Sequence, residues 1–350
     1  MNQYITINNR KIGAKYSPYV IAEMSANHNG SIENALKIIL QAKACGASAV
    51  KIQTYKPDTI TLNCRDDDFY IKEGLWEGRT LYELYEWAHT PWEWHRELFS
   101  FSKENNITLF SSPFDETAVD LLEDLNAPAY KIASFEAIDI NLIKYVASTK
   151  KPMIISTGMA DEKEIEEAID AAVTGGCNEL VILHCVSGYP APASDYNLKT
   201  ILDMQRRFGV IVGLSDHTLD NTTAITSIAL GVSVIEKHFT LDRSRGGPDD
   251  SFSLEKDELS ALCKDVSTAW QSLGNINYKR KDSEKDNLKF RRSLYFVNDL
   301  GPGAAIKLGD IKSVRPGYGL PPKMLQELIG KKLKRAVKFG KKVELDDFYN

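Results

Sequence analysis

Two apolar runs end in histidine, Gly213-Leu-Ser-Asp-His217 and Val234-Ile-Glu-Lys-His238. Each reads as a buried parallel strand that delivers its last side chains to one rim. On neighbouring strands, His217 and His238 offer two imidazoles to one divalent ion, with water or substrate completing the sphere; Mn2+, Mg2+, Co2+ and Zn2+ all suit this donor set. Other apolar runs close on Glu23, on Lys51 and Gln53, on Ser112, on Lys131 and Ser134, on Ser156, and on His184 and Ser187. A core strand gains nothing by burying an unpaired ammonium or carboxylate, so polar residues at every end point to a site. Lys51 and Lys131, with hydroxyls from Ser134, Ser156 and Ser215, suit a small anion carrying phosphate and carboxylate. The plainer reading pairs each lysine with a local acid, and a Schiff-base lysine is a third. Glu23 is placed to be a further metal ligand or an acid/base. His184 and Cys185 are adjacent and face opposite ways on a strand, which makes them a poor catalytic dyad.

Positioning these residues requires eight strands, expected at 20–25, 49–54, 108–112, 130–134, 153–157, 180–186, 210–215 and 233–238. Amphipathic helices are expected at 32–45, 92–104, 116–125, 141–148, 163–173, 198–208, 222–230 and 255–273, with Ser31, Asp139 and Asp161 as N-caps. Val- and Ile-rich strands without polar alternation need helices over their outer faces. The pattern predicts an α/β fold, a (β/α)8 TIM barrel over 1–274, opened by a short N-terminal hairpin around Tyr4-Ile-Thr-Ile-Asn8. A doubly wound open sheet would carry a Gly-rich phosphate turn after its first strand, and Ala26-Asn-His-Asn-Gly30 has a single glycine. A long insertion, 55–90, mixes aromatics with charge; it falls at the catalytic rim, where it covers substrate or serves as a surface or dimer contact. After Leu273 a polar, lysine-rich linker is expected over 275–287, followed by a Gly- and Pro-punctuated β-rich module over 288–350.

Composition narrows the function classes. The net charge of -5 is uneven: residues 275–350 carry 18 Lys and Arg against 9 Asp and Glu, or +9, which leaves -14 for the rest. The basic tail balances its partner domain or helps to bind anions, and it lacks an aromatic-basic nucleic-acid motif. The five cysteines form no C-x-x-C pair, the usage of a reducing compartment. No apolar run approaches the roughly 18 residues of a membrane span. A soluble, cytoplasmic protein that binds neither nucleic acid nor membrane is expected.

The runs Ala22-Glu-Met-Ser-Ala-Asn-His-Asn-Gly30, Val50-Lys-Ile-Gln-Thr54, Ser111-Ser-Pro-Phe114, Lys131-Ile-Ala-Ser134, Ser156-Thr-Gly158, His184-Cys-Val-Ser-Gly-Tyr-Pro190, Gly213-Leu-Ser-Asp-His217 and Glu236-Lys-His-Phe-Thr240 resemble the sialic acid (nonulosonate) synthase family. Gly247-Pro-Asp249 and Arg315-Pro-Gly317 extend the likeness to nearly the whole chain. Within the family, Gly74-Leu-Trp-Glu-Gly78, His89-Thr-Pro-Trp-Glu-Trp94 and Thr240-Leu-Asp-Arg-Ser-Arg245 look most like the pseudaminic acid synthase branch.

The resemblance implies a barrel followed by an antifreeze-like, SAF-type β-clip module. It implies a metal-dependent condensation of phosphoenolpyruvate with an open-chain N-acetylated amino sugar, releasing phosphate and giving a nine-carbon 2-keto acid. Lys51, Ser112, Lys131, Ser134, Ser156, Ser187 and Ser215 would hold phosphoenolpyruvate, and His217 and His238 the metal. Glu23 would serve the water or aldehyde, and Gln53, Tyr189 and Asp249 would face the sugar. It also implies a homodimer in which Arg315 reaches the neighbouring subunit's sugar. Two positions depart from the sialic acid branch. Ser187 stands where that branch commonly has Asn, and Asp250 where it has His, which argues against N-acetylmannosamine as substrate. For the branch named above the sugar is 2,4-diacetamido-2,4,6-trideoxy-L-altrose, whose methyl Trp76 or Trp94 could cover. Synthesis of N-acetylneuraminic or legionaminic acid is the alternative within the family, and a non-catalytic carbohydrate-binding protein the alternative outside it.

Overall fold

In the computed structural model, which describes residues 3–349, a hairpin of β1 (Ile5–Ile7) and β2 (Arg10–Ile12) precedes eight parallel strands. These are β3 (Tyr19–Glu23), β4 (Ala49–Thr54), β5 (Thr108–Pro113), β6 (Tyr130–Ile132), β7 (Met153–Ser156), β8 (Leu180–Cys185), β9 (Ile211–Ser215) and β10 (Val234–His238). They follow one another around a closed barrel, with β10 hydrogen-bonded back to β3. Between them run α1 (Ile32–Ala44), α2 (Pro57–Ile60), α3 (Leu81–Ala88), α4 (His95–Glu104), α5 (Glu116–Asp124), α6 (Ile140–Ser148), α7 (Glu162–Gly175), α8 (Thr200–Phe208) and α9 (Thr222–Ile228), and α10 (Lys256–Leu273) closes the ring. Ser31, Asp139 and Asp161 each accept a backbone N–H at the start of α1, α6 and α7.

Alternation along the strands sorts the core into two shells. Outward residues such as Val20, Ala22, Val50, Ile132, Ile155, Leu214 and Ile235 pack under the helices. Lumen residues Tyr19, Ile21, Ala49, Phe110, Ile154, Val181, Leu183 and Val234 form a second cluster, closed by Ile5, Ile7 and Ile12 of the hairpin. Burying those three isoleucines contributes about 1.5–3 kcal/mol each, so the hairpin acts as a plug. Lumen space is tight: a Cβ on Gly213 would lie 2.4 Å from the Leu183 side chain and 2.7 Å from the Val234 carbonyl oxygen. Continued upward, the same lumen-facing alternation presents Glu23, Lys51, Ser112, Lys131, Ser156, Cys185, Ser215 and Glu236. An apolar lumen therefore ends in a polar layer.

Two elements differ from the expected ones. Residues 92–104 do not form one helix: Trp92–Trp94 is a 3-10 turn after Pro91, and α4 starts at His95. β6 stops at Ile132, because Ser134 opens a 3-10 turn and its hydroxyl accepts the Gly158 N–H at 3.2 Å.

The chain divides at Gly274 into two units. In the second, Asp282–Phe290 forms an exposed 3-10 run within and beyond the expected linker. β11 (Ser293–Phe296) pairs antiparallel with β12 (Ile311–Val314), and α11 (Leu325–Leu328) follows a 3-10 turn. Leu294, Phe296, Ile311, Leu333, Val343 and Phe348 make a small core of its own. Asp347 is buried there and ion-paired with Arg335 and Lys341.

Candidate active site

Four ionisable side chains meet at the top of the lumen. Lys51 Nζ lies 2.6 Å from Glu23 Oε2 and 3.8 Å from Glu236 Oε1, and Lys131 Nζ lies 3.4 Å from the same Glu236 oxygen. Strand register brings them together: Glu23 pairs with Lys51 on one side and with His238 on the other. Lys51 and Lys131 are only 3% and 2% exposed, and breaking such a buried pair costs about 3–5 kcal/mol. Each lysine thus has an acidic partner, as the plainer reading expects, and the two ammoniums converge on one place. Burial pushes the Glu23 carboxyl up to about 7 against the pull of Lys51. Burial also opposes ionisation of Glu236, but Lys131 and Lys51 together outweigh it and hold its pKa below the usual range. Burial lowers Lys131, with Glu236 opposing.

Hydroxyls surround this quartet. Lys51 Nζ donates to Ser112 Oγ at 3.2 Å, and Ser215 Oγ lies 3.5 Å from Glu236 Oε1. The Oγ atoms of Ser156 and Ser187 are buried without a hydrogen-bond partner. Gly158 is what lets the loops after β7, β6 and β8 converge: a Cβ there would sit 2.1 Å from Ser187 Oγ and 2.8 Å from Ser134 Oγ. Unmet hydroxyls beside two ammoniums form a cradle for phosphate or carboxylate oxygens.

His217 and His238 come together as their strands require, with ring centroids 5.5 Å apart. Two imidazoles bound to one ion at about 2.1 Å place their centroids roughly 5 Å apart, so the pair fits a shared cation. The His217 Nδ1–H donates to the Val186 carbonyl at 2.8 Å, and although burial opposes a charge on this ring, its pairing with Cys185 outweighs that and raises its pKa. His238 Nδ1 is buried and unpartnered, and burial next to His217 and the lysines holds this ring neutral, with its pKa well below the usual value. Among the described residues, no three His, Cys, Asp or Glu side chains gather in metal-binding geometry. An ion here would rest on two imidazoles and leave its other positions to water or substrate.

Above these groups opens a cavity of about 370 Å3, within the usual range for small-molecule sites. Gln53, Ser134, Glu136, Ser187, Tyr189, His238 and Asp249 line its polar side. Tyr189 stacks on His217 at 4.4 Å. Asp249 accepts from Ser25 Oγ at 2.5 Å and from the Ala26 N–H, while burial raises its pKa. Tyr55, Ile60, Trp76, Leu84 and Tyr85, from the end of β4 and the insertion, line the apolar side. The Trp76 indole is fixed by its N–H to the Pro248 carbonyl at 2.9 Å. Trp94 is not in this wall; it packs on His28 at 5.4 Å. Asp250 does not line the cavity either, because it holds its own loop by accepting from Asn29, Gly247 and Thr240. A larger groove of about 890 Å3, lined by Asn8, Arg96, Lys103 and Asp124 among others, lies at the opposite rim, away from every strand end named above. Arg315 is exposed in the second unit.

Four residues here had no role assigned from sequence. Glu236 was visible only as a strand end, yet it bridges both lysines. Glu136 follows Ser134 in a turn and has a buried, unpartnered Oε2. Cys185 turns inward beside Ser134 Oγ at 3.5 Å and against His217. Gly158 carries no side chain to notice, and only the crowding around it reveals its part.

A closed parallel barrel whose C-terminal rim concentrates lysines, hydroxyls and a histidine pair beneath one cavity is a (β/α)8-barrel enzyme. The chain belongs to the NeuB family: that family's model matches residues 38–278, and the SAF domain model matches residues 291–348. It is 46% identical over 330 residues to a pseudaminic acid synthase of Campylobacter jejuni subsp. jejuni, covering 94% of this chain and 96% of the relative. It is 40% identical to a pseudaminic acid synthase of Helicobacter pylori, covering 94% and 97%. Among solved structures, the spore coat polysaccharide biosynthesis protein spsE of Bacillus subtilis matches with a TM-score of 0.68 at 29% identity, over 99% of each chain. Among the described residues no helix is long and apolar enough to cross a membrane.

Proposed function

We propose that the chain condenses phosphoenolpyruvate with 2,4-diacetamido-2,4,6-trideoxy-L-altrose to give pseudaminic acid and phosphate. The observation that carries this reading is the two-part site, a buried cationic cradle under a half-apolar cavity, in a chain 46% identical to a pseudaminic acid synthase. Lys51 and Lys131, with Ser112, Ser134, Ser156, Ser187 and Ser215, hold the phosphate and carboxylate of phosphoenolpyruvate. Such a fixed cradle reorganises little as charge shifts during reaction. Gln53, Tyr189 and Asp249 face the sugar's polar groups, and Trp76 with Ile60 and Leu84 covers its methyl.

In the reaction, C3 of phosphoenolpyruvate forms the new bond to the aldehyde carbon. Water adds at C2, the C2–O bond to phosphorus breaks, and phosphate leaves with the electron pair. One proton of that water ends on the former aldehyde oxygen and the other on the departing phosphate, and Glu23 serves the exchange. A divalent ion such as Mn2+, Mg2+ or Co2+, held by His217 and His238, supplies Lewis-acid polarisation of the aldehyde. The chain works as a homodimer in which the partner subunit's Arg315 reaches the sugar's N-acetyl group. Five unpaired thiols fit a cytoplasmic setting.

The test is phosphate release in water labelled with oxygen-18. Release needs both substrates and ceases on chelation or on His217→Ala or His238→Ala, and the label enters the sugar acid at C2 and not the phosphate. Label in the phosphate, or full activity of both histidine variants without metal, sinks the reading.

A further inference from the structure

Lys237 lies between two site residues, Glu236 and His238, but faces the other way. Glu236 and His238 point into the lumen, whereas Lys237, like Ile235 two positions earlier, points outward from the barrel. It is a lysine 2% exposed in a largely apolar shell. Nothing in the proposed reaction uses it.

Its ammonium is enclosed by oxygens from one loop. Lys237 Nζ lies 2.8 Å from Asp216 Oδ2, 2.8 Å from the Thr218 carbonyl, 2.6 Å from the Asp220 carbonyl and 3.2 Å from Thr218 Oγ. The same loop is cross-tied, with the Thr218 N–H donated to Asp216 Oδ1 at 2.9 Å and the Thr218 hydroxyl donated to the Asp220 carbonyl at 3.0 Å. His217 sits inside this wrapped segment, flanked by Asp216 and Thr218. The loop carrying one imidazole is thus fastened to the residue adjoining the other.

We propose that Lys237 is a positioning residue: by clamping the 216–220 loop to β10, it sets the spacing of His217 and His238, and with it divalent-ion affinity and turnover. The inference rests on the reading of those histidines as the metal pair. Two further ties orient the His217 backbone and ring, its N–H donated to Tyr196 Oη at 2.6 Å and its Nδ1–H to Val186. Neither connects to β10; the Asp216 N–H does, donated to the Glu236 carbonyl at 2.9 Å, and Lys237 is the side chain that extends this tie from β10 along residues 216–220. A methionine of similar length would fill the volume, but it cannot gather four oxygens.

The experiment compares wild type, Lys237→Met and the double variant Asp216→Asn/Lys237→Met, which leaves no orphaned carboxylate. Mn2+ dissociation constants are measured on metal-stripped protein by titration of free Mn2+, beside kcat, KM for phosphoenolpyruvate and the thermal midpoint. Both variants are expected to weaken Mn2+ binding roughly 10–100-fold, the usual effect of losing a partner that orients a ligand. They should also lower kcat at saturating Mn2+, with KM for phosphoenolpyruvate within about twofold of wild type. Unchanged Mn2+ affinity in a folded variant overturns the inference and leaves Lys237 a structural ion pair. Failure of both variants to fold overturns it likewise. His217→Ala separates the two layers: if it binds Mn2+ as wild type does, the metal pair itself is wrong.

Discussion

Ser156→Ala separates binding from folding more cleanly than any other single change in the site. Ser156 stands at the last lumen position of β7, 2% exposed, and its hydroxyl has no partner. An unmet buried hydroxyl costs about 1–3 kcal/mol, and a hydrogen bond from it to a charged oxygen contributes about 1.5–3 kcal/mol. Deleting Oγ should therefore leave the free enzyme equally stable or up to about 2 kcal/mol more stable. That corresponds to a rise of a few degrees in the thermal midpoint for a domain of this size. Phosphoenolpyruvate binding should meanwhile weaken roughly 10–150-fold, at about 1.4 kcal/mol per decade. Calorimetric unfolding of the free enzyme and a phosphoenolpyruvate titration on the same preparation read both effects. Loss of stability by more than about 1 kcal/mol, or affinity within twofold of wild type, would refute the assignment of Ser156 to the anion cradle.

Two further outcomes follow from the cavity. Trp76→Ala removes much of the apolar wall, so preference for the 6-deoxy sugar over its 6-hydroxy counterpart should fall roughly tenfold in kcat/KM, the scale set by one methyl in an apolar pocket; an unchanged ratio would move the methyl elsewhere. Burial pushes the Glu136 carboxyl up to about 7, with its own backbone N–H and Lys131 opposing and Asp139 reinforcing. Between its unfolded value near 4.5 and 7 the folded state keeps a proton that the unfolded chain has lost, so stability falls as pH rises through that window and is flat above it. Glu136→Gln should remove this slope, gaining up to about 3 kcal/mol on wild type between pH 4.5 and pH 8 in urea unfolding; parallel profiles would show that Glu136 ionises normally.

The barrel was readable from sequence because parallel strands covered on both faces are continuous apolar runs, and their ends mark one rim. Helix starts were readable where Ser31, Asp139 and Asp161 cap them. What one strand cannot reveal is which side chains meet across the lumen. Barrel closure puts Glu236 of the last strand beside Lys51 and Lys131 of the second and fourth, and no local spacing encodes that. Nor does side-chain type tell Trp76 from Trp94; the fold sends Trp76 to the cavity and Trp94, at the start of α4, against His28. Asp250 is a departure from the sialic acid branch that the sequence shows but does not explain; its carboxylate accepts from Gly247, Thr240 and Asn29 and does not line the cavity.

The most direct test of the two-part site is a competition of sugars at fixed phosphoenolpyruvate and Mn2+, with kcat/KM measured for each by phosphate release. The cationic cradle under an apolar-walled cavity predicts that 2,4-diacetamido-2,4,6-trideoxy-L-altrose is preferred over N-acetylmannosamine by at least about 100-fold, the range that a buried methyl and a mismatched polar group reach together. Equal use of the two sugars, or preference for N-acetylmannosamine, would contradict it.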